Sequence, residues 1–323
     1  MDLLSLADLT TPWCLYVAGT LRVADRLESG PAVIATLAEA CGAEPGALAR
    51  VLRHLIRKGV FAEPVPDTFA LNDAARGLLD PGMRIGLNLE GFGGRMAFPW
   101  STLLTAVRTG RPAYAEVFGR PYWEDMEANP EIAAEFDALM GPAGHGAPDP
   151  EVLIDPAEWP GIRSVADIGG GTGSLLAAIL AAHPHVRGTL VDLPRTVARS
   201  REIFEAAGVL DRVTLAPQSF FDQLPSGCDV YLLSKVLHDW PDAEAKALLA
   251  RCAVAAGTKG RVIAVNGVTP EAVAEADLLM LVLVGGKNRT LEEFRELARE
   301  AGLEVTAAGR NPNGRFQVEC CSL

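Results

Sequence analysis

VADIGGGTGSLLAAILAAHP, residues 165–184, passes from a short apolar strand through Gly169, Gly170, Gly171 and Gly173 into a helix with apolar positions at Leu175, Ala178, Ile179 and Ala182. A strand-to-helix turn this tight brings backbone against a ligand, and glycine is needed where a Cβ would obstruct the approach. Asp192 ends the next strand, 19 residues after Gly173, where a carboxylate can accept both hydroxyls of a ribose. The spacing is G-x-G-x-G. Ser174 occupies the place where the dinucleotide fingerprint has its last glycine, and no P-loop lysine is present. A nucleoside without a pyrophosphate needs no anion cradle at the helix N-terminus, so the loop suits S-adenosylmethionine ahead of NAD. Asp167, just before the loop, is placed to hold the ammonium of that cofactor's methionine end.

Downstream, apolar strand-like runs alternate with helical stretches: TLVDL (189–193), RVTLA (212–216), DVYLLS (229–234) and RVIAV (261–265). Such alternation predicts a parallel, doubly wound α/β sheet. LEVTAA (303–308) and RFQVECC (315–321), separated by the turn-rich GRNPNG, predict a terminal antiparallel hairpin. Upstream, Pro, Gly and acids crowd residues 145–162, which marks a boundary between a domain of residues 1–150 and one of residues 151–323. The first is helical, and its residues 32–72 read as helix, turn, helix and short hairpin, a winged-helix pattern. Residues 31–72 carry Arg50, Arg53, Arg57 and Lys58 against Glu39, Glu44, Glu63 and Asp67. A DNA reader presents a basic face, so this neutral module is expected to serve structure or dimerisation instead. Aromatic residues of the flanking helical segments at 1–29 and 95–141 suit core and subunit-interface packing, with a few left to line a pocket for a planar substrate.

The 323 residues, 49% of them hydrophobic, suffice for two cores, and a formal charge of −12 repels phosphodiesters and anionic lipid. Neither nucleic acid nor membrane is an expected partner. No apolar run approaches the ~18 residues of a spanning helix, and Arg22 is the first basic residue, so no secretory signal is read and a cytoplasmic location is expected. The six cysteines have no metal-like spacing, and no third ligand accompanies His238 and Asp239, so no metal site is expected.

With these motifs in place, the sequence resembles the S-adenosylmethionine-dependent small-molecule O-methyltransferases related to caffeic acid and acetylserotonin O-methyltransferases, especially bacterial members that tailor natural products. The resemblance spans nearly the whole chain. It rests on the winged-helix region, WSTLLTAVRTGRPAYAEVFGRPYWED (100–125), VADIGGGTG (165–173), LVDLP (190–194), SKVLHDWPD (234–242), and GGKNRT followed by EEFRELAREAGL. It implies a class I methyltransferase fold, a Rossmann-like seven-stranded sheet with an antiparallel last strand. It also implies a homodimer built on the N-terminal helices. It further implies a cofactor site at Gly169, Gly171, Asp192 and Lys235, which Asp167, Leu193, Ser219 and Phe220 complete, and a general base at His238. The acceptor would be a hydroxyl of a small aromatic or polyketide-like molecule. His238 follows the strand DVYLLSK at the carboxyl edge of the sheet, where open α/β sheets hold ligands, and an imidazole there can take a phenolic proton.

Relatives in this family support the histidine with acidic residues at two positions that are Asn266 and Asn288 here, and they have Asp where Ser219 stands. An amide can accept a hydrogen bond but cannot stabilise an imidazolium, and the equivalent Asp-to-Asn change in a protease triad costs ~10⁴ in rate. The catalytic set is therefore read as His238, Asp239, Asn266 and Asn288, and three accounts fit it. The acceptor is acidic or well oriented enough for proximity to suffice. Alternatively, Asp239 or Asp277 takes over the orienting role. In the third, the scaffold performs hydroxylation, decarboxylation or cyclisation, with the sulfonium as an untransferred electrostatic element.

Overall fold

The computed structural model describes residues 3–141, 148–270 and 277–323. Residues 145–147 of the boundary segment lie outside the described residues. The described residues within Met1–Trp100 and Met126–Gly144 form one compact unit, and those within Ser101–Asp125 and His145–Leu323 form a second. The division is thus not a single cut near residue 150. Pro and Gly at 145–162 mark a connection, but composition does not say which unit an upstream segment packs into.

The second unit is built on seven strands: β1 (Ser164–Ile168), β2 (Arg187–Asp192), β3 (Val213–Pro217), β4 (Val230–Ser234), β5 (Arg261–Val265), β6 (Leu303–Arg310) and β7 (Phe316–Ser322). Their order across the sheet is β6-β7-β5-β4-β1-β2-β3. β7 runs antiparallel to both β5 and β6, while the pairings among β1 to β5 are parallel. This is the expected mixed sheet, with its antiparallel last strand and terminal hairpin. The inner strands are hydrophobic runs because both faces are covered. Alternation along each strand sends Ala166, Ile168, Tyr231 and Leu233 to one layer with Leu248, Leu249 and Phe294, and Val165, Leu190, Leu232 and Ile263 to the other with Leu176, Ile179 and Phe204. The first layer is covered by helices Asp242–Ala256 and Leu291–Glu300, the second by Ser174–Ala182 and Ser200–Ala206. The second of these helices starts with a capping box between Thr290 and Glu293.

The strand order reverses at β1, which pairs with β2 on one side and β4 on the other. Such a switch point opens a crevice beyond the carboxyl ends of the strands. Two segments from opposite sides of the switch meet there: the glycine turn after β1 and Lys235–His238 after β4.

In the first unit, helices Ile34–Cys41 and Pro45–Arg57 and the hairpin strands Ala62–Val65 and Thr68–Ala70 form the winged-helix pattern. A two-residue strand, Ala32–Val33, adds a third member to the hairpin, too short to give an alternation signal. Leu37, Leu48, Leu52, Leu55 and Phe69 make the core. Pro45 opens the second helix and Glu44 caps it through the N–H groups of Gly46 and Ala47. Arg53 of that helix is paired with Glu63 at 2.6 Å and Asp67 at 2.7 Å on the wing. Among the described residues, no helix is long and apolar enough to cross a membrane. All six cysteines are free thiols.

Candidate active site

The glycine turn is glycine for several different reasons. A Cβ on Gly173, whose φ is +83°, would collide with the Phe204 ring, and one on Gly170 would stand 2.5 Å from the Asp167 carboxyl. Gly169, at φ +69°, lies against Val236 and the Phe220 ring. Gly171 differs: φ is +60°, but no atom stands within 4 Å of where its Cβ would be. Its neighbourhood is open, as the backbone facing a ligand must be.

Asp192, at the end of β2, accepts the Gly171 N–H at 2.8 Å and the Leu193 N–H at 2.7 Å, one on each carboxylate oxygen. Burial raises its pKa, and these backbone donors oppose the rise. Asp167 has the opposite character. It is 1% exposed, and neither of its oxygens has a hydrogen-bond partner among the described residues. Burial, with the Asp192 charge adding to it, pushes its pKa up to about 7. A buried carboxylate without a donor is costly, and an ammonium is the group that satisfies it. Open backbone at Gly171, an oriented Asp192 and an orphaned Asp167 together fit S-adenosylmethionine: nucleoside toward Asp192, amino acid toward Asp167.

Ser219 and Phe220 follow β3. The Ser219 hydroxyl accepts the Phe221 N–H at 3.1 Å, so it shapes the turn. Phe220 and Phe221 pack edge-on against Trp240, at 5.8 and 4.9 Å between ring centroids. Trp240 also stacks on Trp123 at 6.0 Å and 18°, which builds segment 101–125 into this unit. Lys235 and Asn266 follow β4 and β5 with φ of +59° and +64°, a left-handed conformation that is costly for lysine and recurs at functional sites. The Lys235 ammonium is half-buried, and burial followed by the charge of Arg315 lowers its pKa.

His238 lies on a single 3-10 turn, Leu237–Asp239. Its Nε2 stands 3.3 Å from Asp239 Oδ1, while its Nδ1 is buried and has no partner among the described residues. Burial lowers the imidazole pKa, as does the charge of Lys235; Asp277 opposes this and Arg289 reinforces it. Burial alone pushes the pKa of Asp239 up to about 7. The pair therefore favours a neutral imidazole, which is the basic form.

The sequence-predicted residues gather at this one edge, but Asn266 and Asn288 do not make the contact to the ring. The backbone just after Asn266 lies against the imidazole, where a Cβ on Gly267 would be 3.3 Å from His238 Nδ1. The N–H of Asn288 donates to Asp277 Oδ2. Asp239 is the ring's carboxylate neighbour, and Asp277 is the acid bound at the position of Asn288. Trp240 and Arg289 were not among the sequence-predicted site residues, although HDW and GGKNRT already contain them, whereas Asp277 was read as one alternative for the orienting role. Among the described residues no group of three His, Cys, Asp or Glu side chains could hold a metal ion.

The chain is similar to known proteins over nearly its whole length. An O-methyltransferase domain model matches residues 100–304, and an O-methyltransferase dimerisation domain model matches residues 4–81. The 2,7-dihydroxy-5-methyl-1-naphthoate 7-O-methyltransferase of Streptomyces carzinostaticus is 40% identical over 95% of this chain and 94% of its own. The aclacinomycin 10-hydroxylase RdmB of Streptomyces purpurascens is 39% identical over 94% of this chain and 84% of its own. The crystal structure of NcsB1, an O-methyltransferase from neocarzinostatin biosynthesis in complex with S-adenosylmethionine and 2-hydroxy-5-methyl naphthoic acid, matches with a TM-score of 0.91. It is 38% identical, with 100% of this chain and 99% of that chain covered.

Proposed function

Because the chain belongs to the S-adenosylmethionine-dependent O-methyltransferase family, we propose that it methylates a hydroxyl of a small aromatic natural product, a hydroxynaphthoate or a related polyketide-like ring, with His238 as general base. The observation that carries this reading is the imidazole of His238 held 3.3 Å from Asp239 on the β4 side of the switch point, with the buried, unpartnered Asp167 carboxyl on the β1 side. S-adenosylmethionine supplies an electrophilic sulfonium methyl. Gly169, Gly171, Asp192 and Leu193 hold its nucleoside end, Asp167 its ammonium, and Ser219, Phe220 and Lys235 complete the enclosure.

His238 takes the acceptor's hydroxyl proton as the oxygen becomes nucleophilic. Asp239 fixes the ring and lies close enough to stabilise the imidazolium, a role that the amides of Asn266 and Asn288 cannot fill. Those two side chains position the acceptor. The unit that carries the dimerisation-domain match pairs two copies of the chain, and the enzyme works in the cytoplasm without nucleic acid or membrane.

The test is incubation of the purified enzyme with S-adenosylmethionine and 2-hydroxy-5-methyl naphthoic acid, followed by mass spectrometry. The expected product carries one added methyl, with S-adenosylhomocysteine formed in equal amount. Replacement of His238 by Ala lowers the rate by ~10²–10⁴, the usual contribution of a positioned base. Full transfer by that variant would show that proximity alone suffices. An oxygenated, decarboxylated or cyclised product with the cofactor required but not consumed would overturn methyl transfer.

A further inference from the structure

We propose that Arg289 is a positioning residue, a clamp that grips the backbone on both sides of the His238–Asp239 dipeptide and so sets where the imidazole stands. The proposal rests on the assignment of His238 as the base. Arg289 is 1% exposed, the largest fully buried side chain among the described residues. Its Nη1 donates to Leu237 O at 2.9 Å and its Nη2 to Trp240 O at 2.8 Å, the carbonyls immediately before and immediately after the dipeptide. Its Nε donates to Asp242 Oδ1 at 2.9 Å, at the start of the following helix. One planar group therefore spans the whole turn from β4 into helix Asp242–Ala256.

The clamp is itself held. The Arg289 N–H donates to Gly267 O at 3.0 Å, and Arg289–Thr290 pairs in parallel with Val268–Thr269. That short ladder is continuous with Gly267, whose backbone lies against the ring of His238. From the same segment as Arg289, Gly286 meets the dipeptide directly: a Cβ there would overlap His238 O, the Asp239 carbonyl carbon and Trp240 N. The 238–240 backbone is thus pressed onto Gly286 and tied down at both ends by Arg289.

Only arginine can do this. A guanidinium presents five donors in a fixed plane, enough for two carbonyls and a carboxylate in three directions, whereas a lysine ammonium places three donors at one point. Its carboxylate partner, Asp242, is 57% exposed and shared with Lys287 at 3.2 Å. The charged groups that act on His238 are Lys235, Asp239, Asp277 and Arg289. The Arg289 cation opposes protonation of the ring, so a variant that keeps the charge but loses the fork separates position from electrostatics.

The experiment compares wild type with Arg289→Lys, Asp242→Ala and the double variant. It measures S-adenosylhomocysteine affinity, kcat and KM for 2-hydroxy-5-methyl naphthoic acid, and the His238 ring resonances of ¹³C-histidine-labelled enzyme saturated with S-adenosylhomocysteine. For Arg289→Lys the expected result is cofactor affinity within twofold of wild type, KM within a few-fold and kcat lowered ~10–100-fold, the size of effect that a misplacement of about 1 Å produces. The His238 resonances move. Asp242→Ala lowers kcat less, and the double variant is no worse than Arg289→Lys alone, because both act through one clamp. A lower melting temperature with unchanged kcat and unchanged His238 resonances overturns the proposal, as does additivity of the two substitutions. If Arg289→Lys does not fold, unchanged kcat and resonances in Asp242→Ala overturn it. If wild type leaves the naphthoic acid unmethylated while the resonances still move, the proposed function fails and the clamp stands.

Discussion

Asp192 accepts the N–H of Gly171 through one carboxylate oxygen, tying the end of β2 to the glycine turn that follows β1. The acid proposed to meet the nucleoside is therefore oriented by the loop beside it before any ligand arrives, and little ordering entropy remains to be lost on binding. Asp167, two residues before that turn, has no such donor among the described residues.

Replacing Asp167 by Asn removes a buried group that the free protein cannot satisfy as an anion. The melting temperature of the cofactor-free protein rises at pH 8, while affinity for S-adenosylmethionine falls ~10–100-fold, as expected for a lost hydrogen bond to a charged group of about 1.5–3 kcal/mol. Thermal scans and calorimetric titration read the two opposite effects. Equal affinity would remove Asp167 from the cofactor site.

Cofactor binding releases a proton. The pKa of Asp167 is raised from 3.8 to about 7 in the folded chain, so the folded state holds more protons than the unfolded state across that window. Its contribution to stability is present at low pH and is lost as the pH rises through about 7. An arriving ammonium favours the carboxylate, and the proton leaves. Calorimetry at pH 6.5 in buffers of different ionisation enthalpy should show the release, and the signal should vanish at pH 8.5 and in Asp167→Asn.

The rate falls on the acid side below the ordinary histidine range of about 6.5, because burial and Lys235 disfavour the imidazolium of His238. Asn288→Glu adds an anion beside Asp277, whose charge already favours the imidazolium, so the acid limb of kcat/KM moves to higher pH. A limb that stays in place would separate Asn288 from the electrostatics of His238.

Two glycines of the turn should separate stability from binding. Gly173→Ala forces a Cβ into Phe204 at a positive φ, which lowers stability by roughly 2–4 kcal/mol from overpacking and backbone strain together. Gly171→Ala meets open space, so it lowers stability by only ~1–2 kcal/mol but fills the room beside the cofactor. Denaturant melts and cofactor titration of the two variants should rank them in opposite order.

The sheet was legible because its chemistry is local. The strand runs at 165–168, 229–234 and 261–265 are apolar on both faces, and the glycine turn and Asp192 sit at fixed distances along the chain. His238 was legible from its place at a strand end. The partner of its ring stayed open: the acidic positions of relatives pointed to Asn266 and Asn288, with Asp239 or Asp277 as the alternative, and the adjacent Asp239 makes the contact at 3.3 Å. No pattern in the sequence says that Arg289 reaches back to the carbonyls of Leu237 and Trp240, since a single arginine in a loop has no periodicity. Segment 101–125 has helical composition like its neighbours, and it is tertiary contacts such as the stacking of Trp123 on Trp240 that reveal its unit.

That segment imposes an order on biosynthesis. Residues 101–125 leave the ribosome long before strand β7, which ends at Ser322. At ~5–20 residues per second the wait is roughly 10–40 s. Trp240 and Gly285 are themselves made only in the later part of that interval, so for most of it Trp123 and Pro112 lack these partners. The nascent chain thus carries an uncovered aromatic segment until the second unit closes, and slow translation or a stall after residue 125 prolongs its exposure to chaperones and to other nascent chains.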